Sequence, residues 1–218
     1  MEGWARQFDG YCERTLFTHG SEPVNAGTSA AVVAAAVWMW RRVRGQGMPL
    51  AEALCAVLFA IGIGSWLFHT HATAWAAAAD VLPIVLFILL YIYAANRHYW
   101  ALGPGRAALA TAAFLPYAAV TAPAFGALPF FEVSAAYWPV PLLIALYALA
   151  LWRRHPETAR GLALGAGLLV VSLGFRSIDE AVCEALPLGT HFLWHVLNAV
   201  MLGWMIEVLR RHRLAQAA

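Results

Sequence analysis

The sequence predicts an all-α protein that crosses a membrane about seven times. Composition, apolar runs and arginine placement all point to this class. Of the 218 residues, 62% are hydrophobic and only 12% are charged, whereas soluble domains carry about 25% charged residues. A surface with so little charge suits lipid better than water. Seven spans of about 20 residues use nearly the whole length, so we expect a single membrane domain over 1–218.

Apolar runs between charged, glycine or proline residues give the expected helices. They cover 25–40, 50–70, 74–95, 106–124, 133–152, 158–178 and 189–209. The first run ends at Arg41 and Arg42, and the fourth follows the Gly103-Pro104-Gly105 breaker. Residues 1–24 contain six charged side chains and no apolar run. They are therefore expected to form a polar segment outside the membrane and not a cleaved signal peptide.

Arginine placement orients the predicted bundle, because cytoplasmic loops of membrane proteins carry an excess of basic residues. With seven spans, eleven of the fourteen arginines lie on the side that holds the C-terminus, whereas six spans would scatter them over both sides. Only Arg6, Arg14 and Arg176 lie on the other side. We therefore expect the N-terminus outside and the C-terminus in the cytoplasm. All fourteen basic residues are arginine and none is lysine, a codon usage that fits a GC-rich bacterial genome. We therefore expect the membrane to be a bacterial inner membrane.

Three histidines are the strongest candidates for a metal site. His191 and His195 are four residues apart, so both imidazoles lie on one face of the last helix. His69 lies near the outer end of the second helix, at the depth where the last helix begins. Three imidazoles with an open fourth position are typical of catalytic zinc. For His191 and His195, the alternative is a pair of polar residues that cap the start of the last helix. His71 points about 160° away from His69 on an ideal helix, so we expect it to lie behind the metal ligands or at the opening of the site.

The four remaining histidines lie in polar or arginine-rich surroundings, and we expect them to be solvated surface residues. They are His19, His98, His155 and His212.

Two more polar residues are expected at the depth of this cluster. Ser65 precedes His69 by four residues and shares its helix face, and Asp80 lies near the outer mouth of the third helix. The carboxylate can take a proton from a metal-bound water, and the hydroxyl can donate a hydrogen bond to an oxyanion. The alternatives are a serine bonded to its own helix backbone and an interhelical polar contact.

This pattern resembles the alkaline ceramidases of the CREST superfamily, seven-helix metal-dependent hydrolases that also include the progestin and adipoQ receptors. The resemblance rests on Ser-x-x-x-His, a later aspartate and His-x-x-x-His, matched here by Ser65, His69, Asp80, His191 and His195. It extends to the N-terminal segment and to the loop before the last helix, through Tyr11, Cys12, Glu13, Glu22, Asn25, Asp179 and Cys183.

The resemblance implies zinc-dependent hydrolysis of the ceramide amide bond to a sphingoid base and a fatty acid. His69, His191 and His195 would be the zinc ligands, with Asp80 and Ser65 around the water. The lipid would arrive sideways from the outer leaflet. Zinc lowers the pKa of its water to about 7, so no protein nucleophile is needed, and no Gly-x-Ser-x-Gly elbow is present. Many bacteria make no ceramide, so an N-acyl amino lipid or another lipid amide is an alternative substrate.

The resemblance also implies a calcium ion in the N-terminal segment. Its oxygen ligands would come from Asp9, the Tyr11 carbonyl, Glu13 and Glu22. The sequence departs from the family at two positions, because Asp9 is displaced by one residue and Thr15 replaces an asparagine ligand. A solvated acidic segment over the mouth is the alternative.

The expected topology places Cys12 and Cys183 outside, which is an oxidising compartment in a bacterial host. We expect a disulfide that ties the N-terminal segment to the loop before the last helix. Cys55, in the apolar body of the second helix, is expected to remain a free thiol.

Two other functional classes compete with a hydrolase. A member of the receptor branch would use zinc structurally or retain a vestigial activity, although the outside N-terminus and the Cys12-Glu13 pair favour the ceramidase side. A transporter would carry charged residues deep in several helices, and the sequence has almost none outside this cluster; Glu207 lies near the cytoplasmic end of the last helix. The expected partners are a membrane lipid substrate and the bilayer, with no nucleic acid.

Overall fold

The structure is a computed structural model that describes residues 3–8, 10–16 and 18–217. Its α-helices are α1 Pro23–Val43, α2 Pro49–His71, α3 Ala74–His98, α4 Pro104–Ala112, α5 Phe114–Gly126, α6 Pro139–Leu151, α7 Pro156–Ile178 and α8 His191–Ala217. Two short 3-10 helices cover Glu132–Ser134 and Glu180–Val182. The described residues contain no strand, which confirms the all-α class.

Helices α4 and α5 together form one span that is interrupted at Ala113. Proline has no N–H, so Pro116 cannot donate the helical hydrogen bond to the carbonyl of Ala112, and its ring crowds that carbonyl. The interruption therefore lies one turn before the proline. Helix α5 buries none of its residues and lies at the periphery of the bundle.

Five spans among the described residues are long and apolar enough to cross a membrane: α2, α3, the α4–α5 span, α7 and α8. Helix α6 is apolar but shorter. Helix α1 has 21 residues, but Asn25, Thr28 and Ser29 lower the hydropathy of its first two turns. Leu82, Leu149 and many other large apolar side chains remain exposed on the spans, as lipid-facing surfaces require. The chain is an integral membrane protein.

Packing of the helices explains how distant residues meet. Helix α1 packs against both α2 and α8, α3 packs against α2, and α7 packs against α8 and α6. Leu58 of α2, Leu173 of α7 and Ile206 of α8 are fully enclosed in the shared apolar core. The end of α2 and the beginning of α8 consequently lie side by side against α1.

The N-terminal segment lies over the turn between α2 and α3. The Phe8 N–H donates to the carbonyl of Ala72 at 2.8 Å, and the Ala74 N–H donates to the carbonyl of Arg6 at 2.9 Å. These bonds satisfy backbone groups where α2 ends and α3 begins, so the polar N-terminal segment stabilises the turn between the two helices.

The predicted disulfide is confirmed. Cys12 is bonded to Cys183 across a sequence separation of 171 residues, and Cys55 is a buried free cysteine, as expected. The bond fastens the N-terminal segment to the loop that precedes α8.

Three expectations are wrong: the start of the helix predicted at 133–152, the end of the helix predicted at 189–209, and the exposure of His212. The helix predicted at 133–152 begins only at Pro139, because Glu132–Ser134 forms a 3-10 turn and proline suits the first helical position. His212 is buried and not solvated. Helix α8 continues to Ala217, so His212 faces α7, where its Nδ1 lies 2.8 Å from the hydroxyl of Thr158.

Candidate metal centre

The three candidate histidines come together at the junction of α2 and α8. Each of the three is buried, and each offers one ligand atom within 4.8 Å of the others. The ring centroids of His69 and His195 are 4.7 Å apart, and those of His191 and His195 are 4.8 Å apart. One ion can therefore be reached by all three imidazoles.

Hydrogen bonds hold two of these rings from behind. Nδ1 of His69 lies 2.5 Å from Oε2 of Glu22, and Nδ1 of His195 lies 2.9 Å from the hydroxyl of Thr28. Metal-binding histidines usually direct their second nitrogen to such a partner, which fixes the tautomer and the ring orientation. In both residues, Nε2 remains available for a metal.

The third ring supports the same fit. Nδ1 of His191 is buried and has no hydrogen-bond partner among the described residues, although buried polar atoms are almost always partnered. Three imidazole nitrogens that can reach one point suit Zn²⁺, because catalytic zinc sites use three protein ligands and leave one position open. The donor set fits zinc.

A cavity of about 180 Å³ adjoins the cluster. Asp80 and Ser65 line it together with His191 and His195. Asp80 makes no side-chain hydrogen bond to the described part of the chain, so its carboxylate is free to act on a bound molecule. The Ser65 hydroxyl lies 2.9 Å from that of Ser29 on α1, so it is engaged by another helix and not by its own backbone.

Asp80 reaches this position because α2 and α3 approach closely at Gly64. A Cβ at this glycine would overlap the carbonyl oxygen of Ala79 and would lie 3.0 Å from Cα of Asp80. Glycine is therefore required for the backbone of α3 to bring Asp80 beside the histidines.

The substitution Gly64→Ala is expected to destabilise the protein by about 1–3 kcal/mol through overpacking, and to lower turnover by displacing Asp80. Thermal unfolding in detergent and an activity assay measure the two effects. Gly174→Ala on α7 is the matched control, because an added Cβ there meets nothing within 4 Å. Equal stability and activity of the two variants would contradict the role of Gly64.

The first turn of α8 is fixed by Asp179. Its Oδ1 accepts hydrogen bonds from the N–H groups of Thr190 at 2.6 Å and His191 at 2.8 Å, and its Oδ2 accepts one from the N–H of Cys12 at 3.0 Å. A carboxylate at a helix N-terminus satisfies free donors and is favoured by the helix dipole. Asp179 thereby places His191 and connects it to the disulfide.

Two side chains at the cavity were not predicted as site residues in these roles. The ring of Tyr11 contacts that of His191, with centroids 3.8 Å apart and the planes tilted by 32°, whereas the sequence suggested only the Tyr11 carbonyl. Arg176 also lines the cavity and donates from Nη1 to the carbonyl of Val133 at 2.9 Å. The only sequence signal for Arg176 was its rarity as an arginine on the outer side.

Two of the predicted calcium ligands, Glu13 and Glu22, are engaged by other groups of the described chain. Glu13 accepts hydrogen bonds from the first backbone N–H groups of α1, Val24 at 2.6 Å and Asn25 at 2.8 Å. Oε1 of Glu22 contacts the guanidinium of Arg14 at 2.5 Å. Calcium needs six to eight oxygen ligands, and these carboxylates are already engaged.

Asp9 lies outside the described residues. His71 lies beside His19, with ring centroids 4.8 Å apart, and it is not part of the three-histidine cluster.

Glu22 is held ionised by its neighbours. Burial alone would raise the pKa of this carboxyl, but the hydrogen bond and electrostatic interaction with His69, followed by the charge of Arg14, outweigh burial and lower the pKa below its usual value. Because an ionised carboxylate only accepts hydrogen bonds, Nδ1–H of His69 donates to Glu22, and Nε2 is the nitrogen of that ring that would bind a metal.

Comparison with known protein families agrees with this geometry. The family model described as Ceramidase matches residues 10–217, and no curated relative matches the sequence. The matched region contains all of the helices, the three clustered histidines, Asp80 and both disulfide cysteines. The chain belongs to the ceramidase family.

Proposed function

We propose that the protein is a zinc-dependent amidohydrolase that cleaves the amide bond of ceramide, or of a similar lipid amide, within the membrane. Family membership supports a hydrolase of the ceramidase type. One observation carries the proposal: three buried imidazoles whose ligand atoms lie within 4.8 Å of one another adjoin a cavity that contains a carboxylate. The products would be a sphingoid base, or another amine, and a fatty acid.

His69, His191 and His195 would hold the zinc ion. Zinc bound by three nitrogens supplies a Lewis acid that polarises a carbonyl and acidifies water. Glu22 and Thr28 keep the rings of His69 and His195 in ligand orientation. Because these partners come from the N-terminal segment and α1, and the ligands from α2 and α8, the centre depends on four parts of the chain.

Asp80 and Ser65 would carry out the proton and hydrogen-bond steps. Asp80 accepts a proton from the attacking water as the water oxygen bonds to the amide carbon. Ser65 donates a hydrogen bond to the oxygen that becomes negatively charged. As the carbon–nitrogen bond breaks, Asp80 returns the proton to the leaving nitrogen, so that one water is consumed and a free amine is released.

The membrane arrangement that we propose has seven spans, with α1 and α6 crossing as well as the five apolar helices, in one domain over 1–218. The membrane would be a bacterial inner membrane. The N-terminus would lie on its outer side and the C-terminus on its cytoplasmic side. The disulfide at the end that carries the metal centre supports an oxidising outer side. The lipid amide would then reach the cavity from the outer leaflet.

The test is a turnover assay on purified protein in detergent or liposomes, with ceramides and N-acyl amino lipids as substrates. We expect hydrolysis that stops when a zinc chelator such as 1,10-phenanthroline is added and returns when zinc is restored. Zinc-loaded protein that hydrolyses no lipid amide would contradict the proposal and would favour the receptor branch of the superfamily. Chelator-resistant hydrolysis would contradict the zinc mechanism alone.

A further inference from the structure

Arg14 is an unusual arginine, because it is buried in a segment that is mostly exposed. Only 5% of the residue is accessible to solvent. Its Nε contacts Oε1 of Glu22 at 2.5 Å, and both side chains are only 2% exposed. Its Nη2 donates to the backbone carbonyl of His69 at 3.2 Å. Buried arginines are rare unless they are paired, and this one is paired with a residue that touches a metal-ligand candidate.

The charges in this contact balance without a further cation. One carboxylate oxygen of Glu22 accepts a hydrogen bond from the Arg14 guanidinium. The other oxygen lies 2.5 Å from Nδ1 of His69 and 3.1 Å from the side-chain amide of Asn25, which donates to it. A calcium ion bound to Glu22 would lie within a few ångströms of the guanidinium. Two like charges at such a distance in a buried site repel strongly.

We propose that Arg14 is the built-in cation of the N-terminal segment and replaces the calcium ion that the family resemblance implies. Arg14 joins the segment to the end of α2 through the His69 carbonyl, and to the His69 ring through Glu22. It is therefore a positioning residue for the metal centre, and the protein does not require calcium. The zinc measurement below rests on the proposed function, whereas the calcium measurement does not.

The first experiment is a calcium titration of the whole protein in calcium-depleted buffer that contains zinc, with Tm and turnover as readouts. A ligand that binds the folded state raises its stability in proportion to ln(1 + [L]/Kd). We expect calcium up to millimolar concentration to leave Tm unchanged and turnover within twofold. A saturable rise in Tm or a severalfold activation would overturn the proposal.

The second experiment compares Arg14→Met and Arg14→Lys with the matched control Arg6→Met, which removes an exposed arginine from the same segment. We expect Arg14→Met to weaken zinc affinity by about 10- to 100-fold, as loss of an outer partner of a metal ligand typically does. Arg14→Lys should recover much of this loss because it keeps the charge. Arg6→Met should bind zinc like the unmodified protein.

Zinc affinity of Arg14→Met equal to that of Arg6→Met would refute the positioning role. If Arg14→Met does not fold, Arg14→Lys and the calcium titration still decide the matter. An unmodified protein that binds no zinc would count against the proposed function, while the calcium titration would still test the role of Arg14.

Discussion

His195→Ala is expected to abolish both zinc binding and lipid-amide hydrolysis. The substitution removes one of the three nitrogen donors. The two remaining imidazoles, on different helices, are fewer than the three protein ligands that a catalytic zinc site uses. We expect zinc affinity to fall by more than the roughly 10- to 100-fold that loss of an outer-shell partner causes. Zinc content by mass spectrometry and turnover of ceramide measure the two effects.

His212→Ala is the matched control for this substitution. His212 is also a buried histidine of α8, but it contacts Thr158 at the opposite end of the helix. Its removal is expected to lower stability and to leave zinc content unchanged. Full turnover by a zinc-free His195→Ala protein would contradict the proposed zinc mechanism.

Asp80→Asn is expected to keep zinc and lose turnover. Asparagine has the same shape as aspartate but cannot accept the proton of the attacking water, and loss of a general acid–base group costs about 10²–10⁴-fold in rate. The zinc donors are unchanged, so zinc content per folded chain should equal that of the unmodified protein. Asp80→Glu, which restores a carboxylate at a different reach, should recover part of the rate.

The zinc content of Asp80→Asn decides how a loss of turnover in this variant is interpreted. Loss of turnover together with loss of zinc would mean that Asp80 supports the metal centre and does not carry the proton. An Asp80→Asn protein with undiminished turnover would exclude Asp80 from the proton step.

Much of the fold follows from the sequence because lipid imposes strong rules on it. Apolar runs predicted the approximate positions of the five helices that are long and apolar enough to cross a membrane, since backbone groups in a membrane must be satisfied inside a helix. Boundaries were less predictable. Pro139 looked like part of a helix from 133 onwards, but local turn chemistry delays that helix, and Pro116 interrupts the α4–α5 span.

The central residues of the candidate site were also visible in the sequence. The four-residue spacing of His191 and His195 places both rings on one face, and the positions of the two cysteines suggested their disulfide. Arg14 could not be foreseen. Its contacts with Glu22 and His69 depend on the path of the N-terminal segment, which carries no regular pattern. For this segment the family resemblance suggested a calcium ion instead.

His212 shows the same limit at the other end of the bundle. An arginine-rich tail usually faces water, but helix α8 continues far enough to turn this histidine towards Thr158. Tertiary packing decided the burial of this residue, and no local signal in the tail contains that information.

X-ray absorption at the zinc edge tests the central claim most directly, with the purified, unmodified protein. Metal analysis of the same sample should give one zinc per chain, and the spectrum should show three imidazole nitrogens at about 2.0–2.1 Å and an oxygen in the remaining position. A protein that retains no stoichiometric zinc after incubation with zinc, or whose zinc has no imidazole ligands, would contradict the proposed centre.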